Sequence, residues 1–534
     1  MKTRRSFKGS WQFFTAAALV GAALSLTAPR PYAAAAGQTG GAAGAAAPPK
    51  QPPQGVASAA KQLKIDLGKS IKVSLPAETR ELKPANFRTP DGKTGWVVRI
   101  PGGLPLATPA YANGRVFVGG GYGSNEFYAF DARTGRLVWK TQTGDDGPTA
   151  AVVEGNRVAF NTESCTLVVV SAQTGKVLWQ EWLGDPLMSQ PAVSKGRLYM
   201  AYPSGGGGGE DSSPHKHALP PSKKKVQQQD SEEEQQASHR LLCADLRTGR
   251  HLWERAISSD VISAPVVADG KVYATTFDGT SYSFDAVTGK LIWKKENAGT
   301  SAPLIVAGEV VVTQKEESDG KAYESVQRLD ARRGVAMTQS PLARSEAGYL
   351  GKDKGGGVAI KKEAQASLDS SVGFGSAPED AQLNKANEHL GVKTVVGGWA
   401  YQGSRAAYSK GRMLNAQGRY LNSVGVDDGR SDWRAEVTGG GHSADEQVFS
   451  PPALGEDFLY LSSSLGHLLS VGQKDGRIGF MYHFGEPMVF QPALAGGNVY
   501  VGTSNGLLIC LKTGSLDADG WYAWGGNGEH NKNK

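Results

Sequence analysis

The chain has 534 residues, of which 70 are glycine, 27 are proline and 39% are hydrophobic. Its three cysteines, with no CxxC, no CxxCH and no adjacent pair, exclude a disulfide scaffold and a c-type haem site. The first 36 residues hold five basic side chains and no acidic one, so losing them takes the formal charge from +7 to about +2 and leaves no electrostatic footprint for nucleic acid.

Residues 1–36 read as an export signal: a basic start with Arg4, Arg5 and Phe7, an apolar run from Phe13 to Leu26, and small residues at Ala33–Ala36. The paired arginines and the modest apolar run resemble a twin-arginine signal; an ordinary secretory signal leads to the same compartment. The expected location is the periplasm or cell envelope of a bacterium, with a soluble mature chain and no transmembrane helix, because the run is too short and alanine-rich for a membrane span. Residues 37–62 are Gly, Ala, Pro and Gln with little apolar bulk and read as a disordered linker. Residues 63–93 form an extended lead-in, in which Ile65, Leu67, Ile71, Val73 and Leu75 suit an extra strand laid against a rim.

The most informative stretch runs from Pro265 to Trp293. Asp269-Gly270, Asp278-Gly279 and Asp285 to Gly289 separate short runs rich in β-branched and aromatic residues, which is the pattern of strands joined by tight turns. Its last third recurs at roughly 40-residue intervals. Copies end at Trp139, Trp179, Trp253 and Trp293, with turn glycines Gly135, Gly175, Gly249 and Gly289. Weaker copies place Met337, Trp433 and Phe480 at the aromatic position, and an eighth stops at Gly514.

A small sheet cannot cover both its own faces, so eight such units predict an all-β, eight-bladed β-propeller of four-stranded antiparallel blades over residues 94–526. The eighth copy lacks its outermost strand, whereas Thr94–Val98, with Trp96 at the aromatic position, has no unit of its own. The expectation is that this N-terminal strand completes the last blade and closes the ring. Residues 527–534 remain as a C-terminal tail.

Naming the strands of each blade A to D from the axis outward, a low-complexity insertion at 203–238 falls between B and C of blade 3. A second, at 339–395, falls between D of blade 5 and A of blade 6, with a short helix expected near Glu379–Leu390. In a meander, B-to-C and D-to-A connections emerge on the same face. That face is the candidate interaction surface, and His442, His467 and His483 all fall in connections belonging to it.

The Asp-x-x-Thr-Gly-x-x-x-Trp turn resembles the tryptophan-docking repeat of the PQQ-like, quinoprotein-type propeller family. Trp521 to Asn527 is also similar to the end of family members. The resemblance implies structural docking roles for Trp96, Trp139, Trp179, Trp253, Trp293, Trp433 and Phe480. It leaves two functional branches. Quinoprotein dehydrogenases hold pyrroloquinoline quinone (PQQ) and Ca²⁺ over the channel; noncatalytic BamB-like propellers bind other proteins of the cell envelope. Alcohol-type dehydrogenases carry an adjacent cysteine pair that this chain lacks. Asp131, Asp245, Asp285, Asp330 and Asp427 sit almost entirely in turns, where capping explains them. No Ser-His-Asp order, Cys-His pair or paired carboxylate can be argued from spacing, and His215 and His217 lie in a low-complexity loop. The expectation is therefore a monomeric, noncatalytic scaffold for envelope proteins with no cofactor, catalytic residue or metal site. The alternatives are a PQQ-dependent alcohol or sugar dehydrogenase and a ligand- or carbohydrate-sensing propeller. BamB-like attachment is itself unsupported, because the signal has no lipidation cysteine.

Overall fold

The computed structural model describes residues 60–533 except 78–79, 122, 146, 163–164, 184–188, 204–236, 300, 319–320, 338–344, 347–404, 427–429 and 440–448. The signal, most of both insertions, the expected helix near 379–390, Asp427 and His442 lie outside the described residues.

The strands form eight sheets. Blade 1 shows the plan: strands A (Ala110–Ala112), B (Arg115–Gly119), C (Glu126–Asp131) and D (Leu137–Gln142) pair in sequence order, all antiparallel. In the eighth blade the fourth strand is Thr94–Arg99, antiparallel to Leu507–Lys512, with Trp96 opposite Cys510. The ring is closed by pairing its two ends, and an eight-bladed β-propeller is the fold.

The repeat turn explains the joints between blades. Asp131 caps its own turn by accepting from the Thr134 backbone N–H at 2.8 Å and hydroxyl at 2.6 Å; Asp245 and Asp285 hold Thr248 and Thr288 in the same way. These bonds hold all three carboxyls below the usual range, although burial works against that at Asp245. A register shift in the C–D pairing then turns the aromatic residue toward the following blade.

There the indole meets the next turn. Trp96 donates to the Ala132 carbonyl at 3.1 Å, Trp139 to Ala172 at 3.0 Å and Trp179 to Leu246 at 3.0 Å. Trp253, Trp293 and Trp433 repeat this with Ala286, Ala331 and Gln473. The ring lies flat on the turn glycine: a Cβ on Gly135 would sit 2.7 Å from Trp96, with φ of +72° also excluding a side chain. Gly175, Gly249, Gly289, Gly334 and Gly476 face the other five indoles similarly. Each ring removes a large apolar surface from water and satisfies a buried carbonyl at once.

Two joints depart from the rule. At the joint of blade 7 with blade 8, no ring lies over Gly514, and Phe480 instead packs within its own blade, 6.0 Å from Tyr460 and 5.0 Å from Tyr482. The Tyr460 hydroxyl crosses to Asp517 at 2.7 Å, and Asp517 also accepts the Asp457 N–H. At the joint of blade 5 with blade 6, Met337 points to solvent. Arg328, in strand C of blade 5 (Lys321–Asp330), supplies the donor, with Nη1 3.1 Å from the Val426 carbonyl. The fourth strand of blade 5 is only Ser345–Glu346, inside the expected insertion, and pairs with Tyr323 and Glu324.

The lead-in supplies three strands where one was expected, the first starting inside the expected linker. Lys61–Asp66 runs parallel to strand D of blade 6 (Ser431–Thr438), and Ile71–Lys72 runs parallel to strand D of blade 7 (Ile478–His483). Ala85–Arg88 makes a hairpin with Thr94–Arg99. Blades 6, 7 and 8 therefore have five strands each.

Candidate functional site

Two places on such a ring can carry function: the channel along the axis, and the face where B–C and D–A connections emerge. The channel is occupied in part by the chain itself. Residues 521–533 leave the last blade, bridge Leu494 of its innermost strand, and hydrogen-bond to the innermost strands of blades 1, 3, 4 and 5 through Tyr111, Val193, Val267 and Ile305. The expected tail thus belongs to the propeller's interior. These inner strands have no sheet neighbour toward the axis, and the tail takes up their backbone groups.

At the D–A end of the channel, Trp524 packs on Ala264 and Ala302 and under the guanidinium of Arg405, 4.7 Å from its ring. Arg405 donates to the Pro303 and His530 carbonyls. Burial pulls it down to about 9, so it stays a cation at neutral pH. His530 is fully buried, with Nδ1 2.8 Å from the Trp524 carbonyl and Nε2 2.9 Å from the Pro191 carbonyl. Burial, with the Arg405 charge alongside, pushes it down to about 4; the neutral ring has one N–H and can donate to only one carbonyl at a time. Gly525 is obligatory here, because a Cβ would lie 2.8 Å from both Arg405 and His530.

On the face itself, His467 and His483 are brought together. They are cross-strand partners at the edge of blade 7, with rings stacked 4.5 Å apart at 18°. His467 is buried, its Nδ1 beside the Ser463 hydroxyl, so it supports the face from beneath instead of lining it. His483 is the more accessible of the two. In blade 2 the same face is knit by polar side chains: Asp145 accepts from Thr162, and Asn161 donates to the Ser189 carbonyl at 2.8 Å.

The rim carries a cluster that sequence reasoning missed. His251 of blade 3 bridges Glu254 (2.6 Å) and Glu181 of blade 2 (2.9 Å), and Tyr202 donates to Glu254 at 2.9 Å. Burial opposes its charge, but the two carboxylates outweigh it and raise His251 to about 9. No periodic signal links positions 181, 202, 251 and 254; only the twist of adjacent blades juxtaposes them.

A quinone with Ca²⁺ needs an open seat over the channel and several oxygen ligands. Among the described residues no group of three His, Cys, Asp or Glu side chains is placed to hold a metal ion. Cys165, Cys243 and Cys510 are buried in three different blades, and the channel holds Trp524, Arg405 and His530. Among the described residues, this end of the channel does not supply that ligand set.

Closed ring, docked indoles and turn glycines together define a propeller similar to those of the PQQ-like repeat family. The family model described as outer membrane protein assembly factor BamB matches residues 85–212 and 234–362. A BamB of Burkholderia pseudomallei is 26% identical over 289 residues, covering 48% of this chain and 74% of that protein. One of Yersinia pestis is 25% identical over 225 residues, 35% of this chain and 56% of its own length. Against solved structures, the computationally designed Ika8 protein aligns with a TM-score of 0.50 at 13% identity over 78% of this chain and 98% of that one, a likeness of fold alone. The chain is an eight-bladed propeller similar to the BamB proteins.

Proposed function

We propose that the protein is a noncatalytic scaffold of the bacterial cell envelope that binds other envelope proteins. The observation that carries the reading is the channel, occupied in part by residues 521–533, with a buried arginine and histidine where a prosthetic group would need room. Similarity to proteins named as outer membrane assembly factors supports the same reading. The export signal read from residues 1–36 supports the compartment, and no helix among the described residues is long and apolar enough to cross a membrane. The face bearing both insertions is the partner surface in this reading.

Two measurements test it. Incubation with PQQ and Ca²⁺ should give no bound quinone spectrum and no dye-linked oxidation of alcohols or sugars; turnover would assign the protein to the dehydrogenases. Co-purification from envelope extract, repeated after deleting 204–236 and 347–395, should lose partners with the deletions. Unchanged partners would move the binding surface elsewhere.

A further inference from the structure

We propose that the outer edge of blade 2, strand D (Val177–Trp182), accepts an extended segment of a partner protein as a parallel fifth strand. The segment is one that alternates apolar with polar or basic residues. This rests on the scaffold reading and names a second surface, on the rim instead of the insertion-bearing face.

The protein shows on itself how such an edge is completed. Where Lys61–Asp66 lies along blade 6, Leu63 reaches over the next blade's turn glycine: its Cδ1 is 2.3 Å from where a Cβ on Gly476 would be, beside Trp433. Pro84, just before the strand added to blade 8, does the same over Gly135, beside Trp96. Both indoles are 0% exposed as a result. At the two joints that hold an indole, the added segment therefore supplies backbone pairing plus one apolar side chain that seals the joint.

Blade 2 has the same joint without the seal. Among the described residues its sheet has four strands. Within 4 Å of a Cβ built on Gly249, the three nearest atoms all belong to Trp179. Trp179 is half-buried, whereas the other five docked indoles are buried. On the same strand Leu178 is 42% exposed and Trp182 is 56% exposed.

The four-stranded edges of blades 1, 3 and 4 are managed. Two residues beyond the indole, Thr141 of blade 1 returns its hydroxyl to the Gly175 carbonyl, and Arg255 of blade 3 returns Nε to the Gly289 carbonyl at 2.7 Å. Blade 4 ends in Lys294 and Lys295, the charges that commonly keep an edge from pairing. In blade 2 the corresponding residue is Glu181, which turns to His251, and the strand, Val-Leu-Trp-Gln-Glu-Trp, has no lysine.

The occupant's chemistry follows. Strand addition gives affinity through main-chain bonds and specificity through alternate side chains. An apolar residue is needed over Gly249. A basic residue suits the one negative charge that the Glu181–His251–Glu254 cluster leaves unbalanced, as the self-added segment Lys-Gln-Leu-Lys-Ile-Asp also carries two lysines.

The test is amide hydrogen exchange on the full chain with and without the blocked peptide acetyl-Lys-Thr-Leu-Lys-Val-Thr-Val-Thr-amide. Exchange across residues 177–182 should slow at least tenfold. Trp182→Lys and Leu178→Lys should each weaken peptide affinity about tenfold, while Val138→Lys in blade 1 leaves it unchanged. Absence of protection at 177–182, or equal protection of 137–142, 251–257 and 291–295, overturns the proposal. Protection of 177–182 that grows with protein concentration in the absence of peptide assigns the edge to a second copy and overturns it too. If the peptide protects nothing while envelope proteins still co-purify, this inference alone falls; quinone turnover without partners removes the scaffold reading itself.

Discussion

Arg328 does for Val426 what an indole does at six other joints: its Nη1 donates to the carbonyl of the next blade's turn at 3.1 Å. The exchange is a paired one. In strand C the residue opposite each docked indole is small or modest, as with Ala129 opposite Trp139, Cys243 opposite Trp253 and Ser283 opposite Trp293. In blade 5 the large side chain is on strand C, and the aromatic position holds Met337, exposed to solvent. Arg328 is anchored by both oxygens of Glu309, each at 2.5 Å. Arg328→Ala leaves Glu309 and the Val426 carbonyl without their donor and should cost about 2–4 kcal/mol. The double change Arg328→Ser with Met337→Trp should recover part of that by rebuilding the indole joint. Urea unfolding of the two variants checks it; equal losses would mean that an indole at position 337 does not replace the Arg328 donor.

Ring closure depends on a glycine in strand Thr94–Arg99. A Cβ on Gly95 would lie 2.3 Å from the Cys510 carbonyl oxygen and 2.3 Å from the Phe87 ring, with backbone on one side and a packed side chain on the other. Gly95→Ala should therefore destabilise by about 1–3 kcal/mol through overpacking. Because the strand holds the two ends together, the loss should be accompanied by faster proteolysis within residues 85–99. Limited digestion with mass mapping reads this directly, and cleavage confined to other segments would place the weak point elsewhere.

How much of this was legible depends on the range over which a signal acts. The turn Asp131 to Gly135 and the indole at Trp139 are nine residues long end to end, and local chemistry dictates them, so blades could be counted. Closure by Trp96 was legible because one unit lacked a strand and one strand lacked a unit. Arg328 was not: an arginine in a strand reads as solvated, and the Met337 copy only looks degenerate until the neighbouring blade is seen. Leu63 and Ile65 announced a strand, but nothing local specifies parallel pairing with Trp433 to Thr438. The His530–Arg405 contact spans 125 positions and joins two segments that lie outside the repeat pattern. Trp521 to Asn527 carries a family-like pattern, but nothing local to it specifies a place along the channel.

The channel filling should be structural in a measurable way. Trp524 is 3% exposed and contacts Ala264, Ala302 and Arg405, whereas Trp182 is 56% exposed. Trp524→Ala should cost about 3–5 kcal/mol and Trp182→Ala under about 0.5 kcal/mol. Ending the chain at Gly520 removes Trp521 and Trp524 and strips partners from Val193 and Val267. That variant should bind an environment-sensitive apolar dye that the full chain does not. Full stability without the tail would mean that water serves the inner strands equally well.

The two unusual histidines should shape the pH dependence from opposite sides. His251 is raised from 6.5 to about 9 by Glu181 and Glu254, which outweigh its burial. Its contribution is complete below pH 6.5 and declines as pH rises toward and through 9, because the folded state then holds a proton that the unfolded state has lost. His530 is lowered to about 4 by burial and by Arg405. Its neutral form favours folding above pH 6.5, and stability falls as pH drops from 6.5 through 4, where the unfolded chain takes up a proton that the folded one resists. His251→Gln should therefore flatten the alkaline limb of a plot of urea midpoint against pH, and His530→Gln should flatten the acidic limb. The comparison is of slopes, so a general loss of stability in either variant does not obscure it. An alkaline limb unchanged in His251→Gln would show that the rim cluster does not hold its proton more tightly in the folded state.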